Sequence, residues 1–218
     1  IMFTMFLDAM VPRAKNVVIA LDQRLIQAFE NRHPHWRFVD RLNLPDDLPT
    51  FDYACPMGDL MTFFLPDLLE QGQTFEQPMI NPDTSRFEQI SQLLANKTKP
   101  RIAISWRGGS DANGIIRSME LSDLMSGLPS ETQVEIISLQ YDEGHEQEVI
   151  AHGDRRVALS GLNNRFDLEG VFALIRCCDA VITIDNAVAH FAAALGVPVA
   201  VLVPAAQTQY RWKNQSIK

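Results

Sequence analysis

Short apolar runs rich in β-branched residues alternate along this chain with longer stretches whose apolar positions recur at helical spacing. That alternation signals βα units and parallel sheets. Strands are predicted at Val17–Leu21, Arg37–Arg41, Phe51–Cys55, Arg101–Trp106, Glu135–Leu139, Arg156–Ser160, Ala180–Ile184 and Val199–Val203. Helices are predicted near Met2–Met10, Gln23–Asn31, Leu60–Leu69, Pro82–Ala95, Leu121–Gly127, Glu143–His152, Leu168–Cys177 and Ala187–Leu195. The polar segment Asn96–Pro100 interrupts the pattern near mid-chain. It divides an amino-terminal lobe, residues 1–96, from a carboxyl-terminal lobe, residues 97–218. Two open parallel sheets would bind ligands outside the carboxyl ends of their strands, so candidate chemistry is sought in the loops that follow strands.

The most completely punctuated of these runs from Asp179 to Pro204. Ala180–Ile184 suits a strand buried on both faces. Asp185 and Asn186 are good N-cap residues for a helix starting at Ala187, and Gly196 followed by Pro198 is a stop. Ala187, Val188 and Ala189 leave the first turn slim, so an anion could reach main-chain N–H groups at the positive end of the helix. His190, one turn after Asn186, either donates to a phosphate or ribose oxygen or packs among the alanines.

A second loop, Ser105–Ser118, follows a predicted strand and leads into a helix near Met119. Gly108 and Gly109 would permit close backbone approach to a ligand. Arg107 and Arg117 supply fixed positive charge for phosphate oxygens, Arg117 beside a second helix N-terminus. The spacing is neither a Walker loop nor GxGxxG. Gln140 and Tyr141 end another strand and could read a nucleoside by hydrogen bonds, while Asp59 follows Phe51–Cys55, either facing a ligand or forming a turn.

The composition is 46% hydrophobic and 21% charged over 218 residues, ordinary for globular protein and ample for two lobes. A net charge of −8 argues against a nucleic-acid surface but leaves room for a local basic pocket that takes a small phosphorylated ligand. Cys55, Cys177 and Cys178 lack metal or redox spacing and are expected as buried thiols in a reducing, cytoplasmic setting. Histidines 33, 35, 145, 152 and 190 form no HExxH, and no GxSxG elbow occurs, so neither a metal nor a further cofactor is expected. No run is long enough for a transmembrane helix. Both ends read as cut, inside a helical pattern at Ile1 and in Arg211–Lys218.

The pieces Phe51-Asp-Tyr with Met57–Leu60, Ile104–Gly109 with Arg117-Ser118, Ser138–Gln140, Thr183–His190 with Ala194–Pro198, and Arg211-Trp212 occur in an order that resembles glycosyltransferase family 9. That family comprises the ADP-heptose:lipopolysaccharide heptosyltransferases and their relatives. The chain is most similar to the version attached to tetratricopeptide repeats, itself likened to O-linked N-acetylglucosamine transferases. The resemblance implies a GT-B architecture, two Rossmann-like lobes whose parallel sheets face a cleft, with a nucleotide sugar on the carboxyl-terminal lobe and a sugar or protein acceptor near the amino-terminal one. It places Arg117 near the donor phosphates, Asp185 to His190 at the diphosphate turn and Gln140 near the nucleoside. The family's Gly-Asp-rich loop, where heptosyltransferases place the presumed general base, would precede Ile1, and Asp8, inside a helical pattern, is not taken as that base.

The function so implied is metal-independent, inverting transfer of sugar from a nucleoside diphosphate. The alternatives are an inactive nucleotide-sugar-binding or scaffold module of a larger repeat protein and, with less support from the loops, a nucleotide-sugar epimerase.

Overall fold

The computed structural model describes residues 6–7, 10, 13–70, 78–96, 98–109, 112–129, 133–153 and 157–204. Two compact units divide between Asp83 and Thr84. In the first, strand β1 (Val18–Leu21) pairs in parallel with β2 (Arg37–Asp40), joined by a 3-10 turn at Gln23–Leu25 and helix α1 (Ile26–Arg32). Phe29 of α1 stacks on Phe38 of β2, so the crossover helix buries its apolar stripe on the strand pair. Helix α2 (Leu60–Glu70) follows a 3-10 turn, Met57–Asp59.

Phe51–Cys55 is not a strand. Its residues are exposed, Tyr53 to 95%, and lie in an irregular segment between Pro49 and Pro56. A short run with aromatic positions resembles a strand in sequence, but a strand needs a neighbouring ladder, and none forms here. The predicted helix at Met2–Met10 falls almost wholly outside the described residues, as do Arg211 and Trp212.

The second unit starts with helix α3 (Thr84–Leu93), which lies ahead of the Asn96–Pro100 segment. Arg86 of α3 forms an ion pair with Asp167, whose other oxygen accepts from the Gly170 N–H at 2.8 Å to cap helix α7 (Leu168–Arg176). Strands β3 (Arg101–Ser105), β4 (Glu135–Ser138), β5 (Val157–Leu159), β6 (Ala180–Ile184) and β7 (Val199–Leu202) build one parallel sheet in the order β5-β4-β3-β6-β7. The chain winds outward from β3 to β5, returns to β6 beside β3, and winds outward again. A doubly wound sheet of this order has its topological switch point between β3 and β6, where ligands bind.

The linking helices are α4 (Ala112–Arg117), α5 (Leu121–Ser126), α6 (His145–His152), α7 and α8 (Ala187–Ala194). Ile104, Trp106, Leu121, Met125, Ile136 and Val149 form a core between the sheet and helices α5 and α6. Across α7 and α8, Phe172 and Phe191 meet edge to face at 5.1 Å between ring centroids. Among the described residues no helix is long and apolar enough to cross a membrane. Cys55, Cys177 and Cys178 form no disulfide. Cys55 is exposed and Cys177 half-buried, so burial holds only for Cys178.

Candidate functional site

Helix α8 begins as its sequence specifies. The Asn186 side-chain oxygen accepts from the Val188 N–H at 3.0 Å and from Thr183 Oγ1 at 3.1 Å. The helix ends in a Schellman turn, with Gly196 at φ 71°, its N–H on Ala193 O and the Val197 N–H on Ala192 O. Ala187 is exposed at the first position while Val188 and Ala189 are buried, so the N-terminal turn presents a slim face.

Tertiary structure brings the Arg107–Arg117 loop to this turn. Arg117 Nη1 donates to the main-chain oxygen of Asp185 at 2.9 Å and lies 3.6 Å from its carboxylate, which is buried. The arginine thereby balances the charge of Asp185 and fixes a cation beside the start of α8. Arg117 itself closes the last turn of α4, so it does not stand at a second helix N-terminus. The helix predicted to follow this loop begins at Leu121, as α5, while the loop itself contains α4; between the two the Met119 N–H pairs with Trp106 O at 3.0 Å.

Arg107 is engaged elsewhere. Its Nε donates to Asp142 at 2.8 Å, its Nη1 pairs with Glu148, and its guanidinium lies 5.7 Å from the centroid of the Trp106 ring. Burial lowers its proton affinity, but Asp142 and Glu148 outweigh that and hold the guanidinium more firmly protonated than usual. The glycine pair also has an internal reason: a Cβ on Gly114 would lie 1.7 Å from Gly109 O and one on Gly108 would lie 3.1 Å from Gly114 Cα. These close approaches hold the loop against α4. Ser118 Oγ secures it further, accepting from Gly108 N at 3.0 Å and donating to Gly114 O at 2.7 Å.

Gln140, expected near a nucleoside, is completely buried, and both ends of its amide are consumed by protein groups. Tyr141, the next residue, lines a pocket of about 580 Å³ with Asp142, His145, Asn163, Arg165 and Phe166 among its walls. The pocket lies between the segments following β4 and β5. Burial, then the Asp142 charge, raises the Tyr141 phenol above its ordinary value. The folded chain therefore favours the neutral phenol, and this contribution to stability is intact below pH about 10 and lost as pH rises through the raised value. Tyr141→Phe should remove that part of the alkaline loss, which thermal unfolding between pH about 9 and about 11 would detect.

Asp59 sits in the first unit, exposed, with its N–H on Pro56 O at 2.9 Å, in the turn that opens α2. His190 lies on the first turn of α8, half-buried. Sequence reasoning overlooked Asn163, Asn164, Arg165 and Phe166, although the strand-then-loop rule used at Gln140 applies equally after Leu159. Among the described residues no group of three or more His, Cys, Asp or Glu could hold a metal ion.

Parallel sheets, a doubly wound second unit and polar loops at its switch point define a mixed α/β protein of GT-B-like class. Residues 124–210 match the model of glycosyltransferase family 9 (heptosyltransferase), so the family resemblance read from the sequence holds over that segment. Protein FlbA of Caulobacter vibrioides (strain ATCC 19089 / CIP 103742 / CB 15) is 26% identical over 205 residues, covering 86% of this chain and 34% of FlbA. The chain thus spans about a third of the length of that curated relative. The crystal structure of a family 9 glycosyl transferase from Veillonella parvula DSM 2008 aligns with 93% of this chain and 77% of its own, at a TM-score of 0.55 and 12% identity, and shows the shared fold. The structure of E. coli ADP-heptose lps heptosyltransferase II aligns with 59% of this chain and 40% of its own, at a TM-score of 0.44 and 17% identity.

Proposed function

We propose that the second unit binds a nucleoside-diphosphate sugar and that the protein is a metal-independent, inverting glycosyltransferase. The observation that carries this reading is the meeting of Arg117 with the Asp185–Ala187 turn at the sheet's switch point. The family 9 match over residues 124–210 supports it. The diphosphate is assigned to the first turn of α8, with Ala187, Val188 and His190 around it and Arg117 beside it. The nucleoside is assigned to the pocket beside Tyr141, with Gln140 beneath it and not in contact. Asp59 of the first unit is assigned to the acceptor, a sugar or protein. Adjoining tetratricopeptide repeats and a cytoplasmic location accompany this reading.

In the reaction, an acceptor oxygen attacks the anomeric carbon as the bond from that carbon to the diphosphate oxygen breaks, inverting the centre. The acceptor proton passes to a general base, and the electron pair leaves with the nucleoside diphosphate. The helix N-terminus and Arg117 would stabilise the charge that develops on the leaving oxygen.

Calorimetric titration with ADP-, UDP-, GDP- and dTDP-sugars tests binding, and transfer of radiolabelled sugar by the full-length protein tests turnover. Arg117→Ala should weaken nucleotide binding by about 1.5–3 kcal/mol, as expected for loss of a charge-assisted hydrogen bond. Unchanged affinity would remove Arg117 from the site. Binding without transfer across all donors would favour the nucleotide-sugar-binding module over the enzyme.

A further inference from the structure

We propose that Gln140 is a positioning residue whose buried amide sets the Trp106–Arg107 turn and the Asp142 carboxylate in place, shaping the pocket before a ligand enters. The last main-chain bond between these neighbouring strand ends runs from Leu139 N to Ile104 O, at 2.8 Å. Beyond it the Gln140 side chain bridges the segments that follow β3 and β4. Its Oε1 accepts from Ser105 Oγ at 3.0 Å, Trp106 N at 2.9 Å and Arg107 N at 3.0 Å. Its Nε2 donates to Arg107 O at 3.2 Å and Asp142 Oδ1 at 2.6 Å.

Two main-chain donors on one side and two acceptors on the other permit a single amide orientation, because the flipped amide would oppose N–H to N–H and oxygen to oxygen. The network extends both ways along the strand ends. Asn164 Nδ2 donates to Gln140 O at 2.9 Å, and Asn186 Nδ2 donates to Ser105 Oγ at 2.9 Å and Arg107 O at 3.4 Å. Gln140 therefore connects the wall of the pocket to the cap of α8. With its amide removed, the turn and Asp142 would have to be ordered on binding, at a cost in affinity.

Two substitutions test this, read by amide hydrogen exchange and by titration with the nucleoside diphosphate that the wild type binds best. Gln140→Leu should accelerate exchange at Trp106 and Arg107 by at least about tenfold, as expected for loss of a buried hydrogen bond, while Ile104 stays protected. Gln140→Glu should keep wild-type protection at low pH and lose it as pH rises. Burial and Asp142 raise the introduced carboxyl's proton affinity, and once ionised it opposes Asp142 and Arg107 O across the donor side, despite the nearby Arg107 charge. A purely space-filling role would give no such pH-reversible loosening confined to the turn.

Nucleotide affinity should fall about tenfold in each loosened state, consistent with one hydrogen bond's worth of added ordering. Unaltered protection in Gln140→Leu, loss shared equally by Ile104, or pH-independent behaviour of Gln140→Glu would each overturn the proposal, as would unchanged affinity in a loosened variant. If Gln140→Leu does not fold, the pH response of Gln140→Glu decides. The binding arm rests on the proposed nucleotide site, but the exchange arm does not: selective loosening in a protein whose wild type binds no nucleotide would support positioning by Gln140 and sink the ligand reading.

Discussion

Ala187→Asp is expected to abolish nucleotide binding while leaving the thermal unfolding of the protein unchanged. Ala187 is exposed and opens α8, so an added carboxylate meets no packed neighbour there. An acidic side chain in a first helical turn also agrees with the macrodipole, and Asn186 would still cap the helix. For a diphosphate seated on the same turn the substitution is hostile in two ways. It fills the slim approach, and each repelling charge pair about 4 Å apart costs between about 1 kcal/mol in bulk water and about 4 kcal/mol near a protein surface. Titration and a melting curve on one sample suffice. Undiminished affinity in a normally folded variant would refute the phosphate site and remove most of the support for a nucleotide-sugar ligand.

Trp106→Ala should destabilise the protein by about 3–5 kcal/mol, the usual range for truncating a large buried aromatic, a sizeable part of a domain's total stability. Trp106 is fully buried in the core under α5 and α6. Its indole N–H donates to Glu148 at 3.1 Å, and Glu148 also pairs with Arg107. Truncation therefore leaves a cavity and removes one of the groups that aim the Glu148 carboxylate. Trp106→Phe retains much of the apolar volume and should cost less, with about 1 kcal/mol attributable to the lost hydrogen bond. Urea unfolding of both variants separates packing from polar contributions. A loss below 1 kcal/mol in Trp106→Ala, well under the range for a closed core, would show that this part of the sheet relaxes around the gap.

Much of the second unit was legible because its signals are local. Ala180–Ile184 reads as a strand buried on both faces, and Asn186 and Gly196 mark the ends of α8 through their own side-chain and backbone chemistry. The same local reasoning misplaced Phe51–Cys55, because an exposed irregular segment can carry the same aromatic spacing as a strand. It also read Ser105–Ser118 wholly as loop and missed the short helix α4 within it. Arg117 was expected beside a helix N-terminus for its loop, but it closes the last turn of α4 and reaches the Asp185 main-chain oxygen.

By itself the sequence determined the α/β character, the positions of most strands and helices, and the helix cap at Asn186, because each depends on residues only a few positions apart. The tertiary structure decided the order β5-β4-β3-β6-β7, and with it which loops meet. Strand order sets β6 beside β3, so Arg117 reaches the Asp185 turn and Asn186 reaches Ser105, across 68 and 81 residues of sequence. It also decided that Arg107 is held by Asp142 and Glu148, and that Gln140 lies buried while Tyr141 lines the pocket. Whether a polar side chain at a strand end meets a ligand or another part of the chain depends on the partners that folding brings within hydrogen-bonding distance, and those partners are set by packing over the whole sheet.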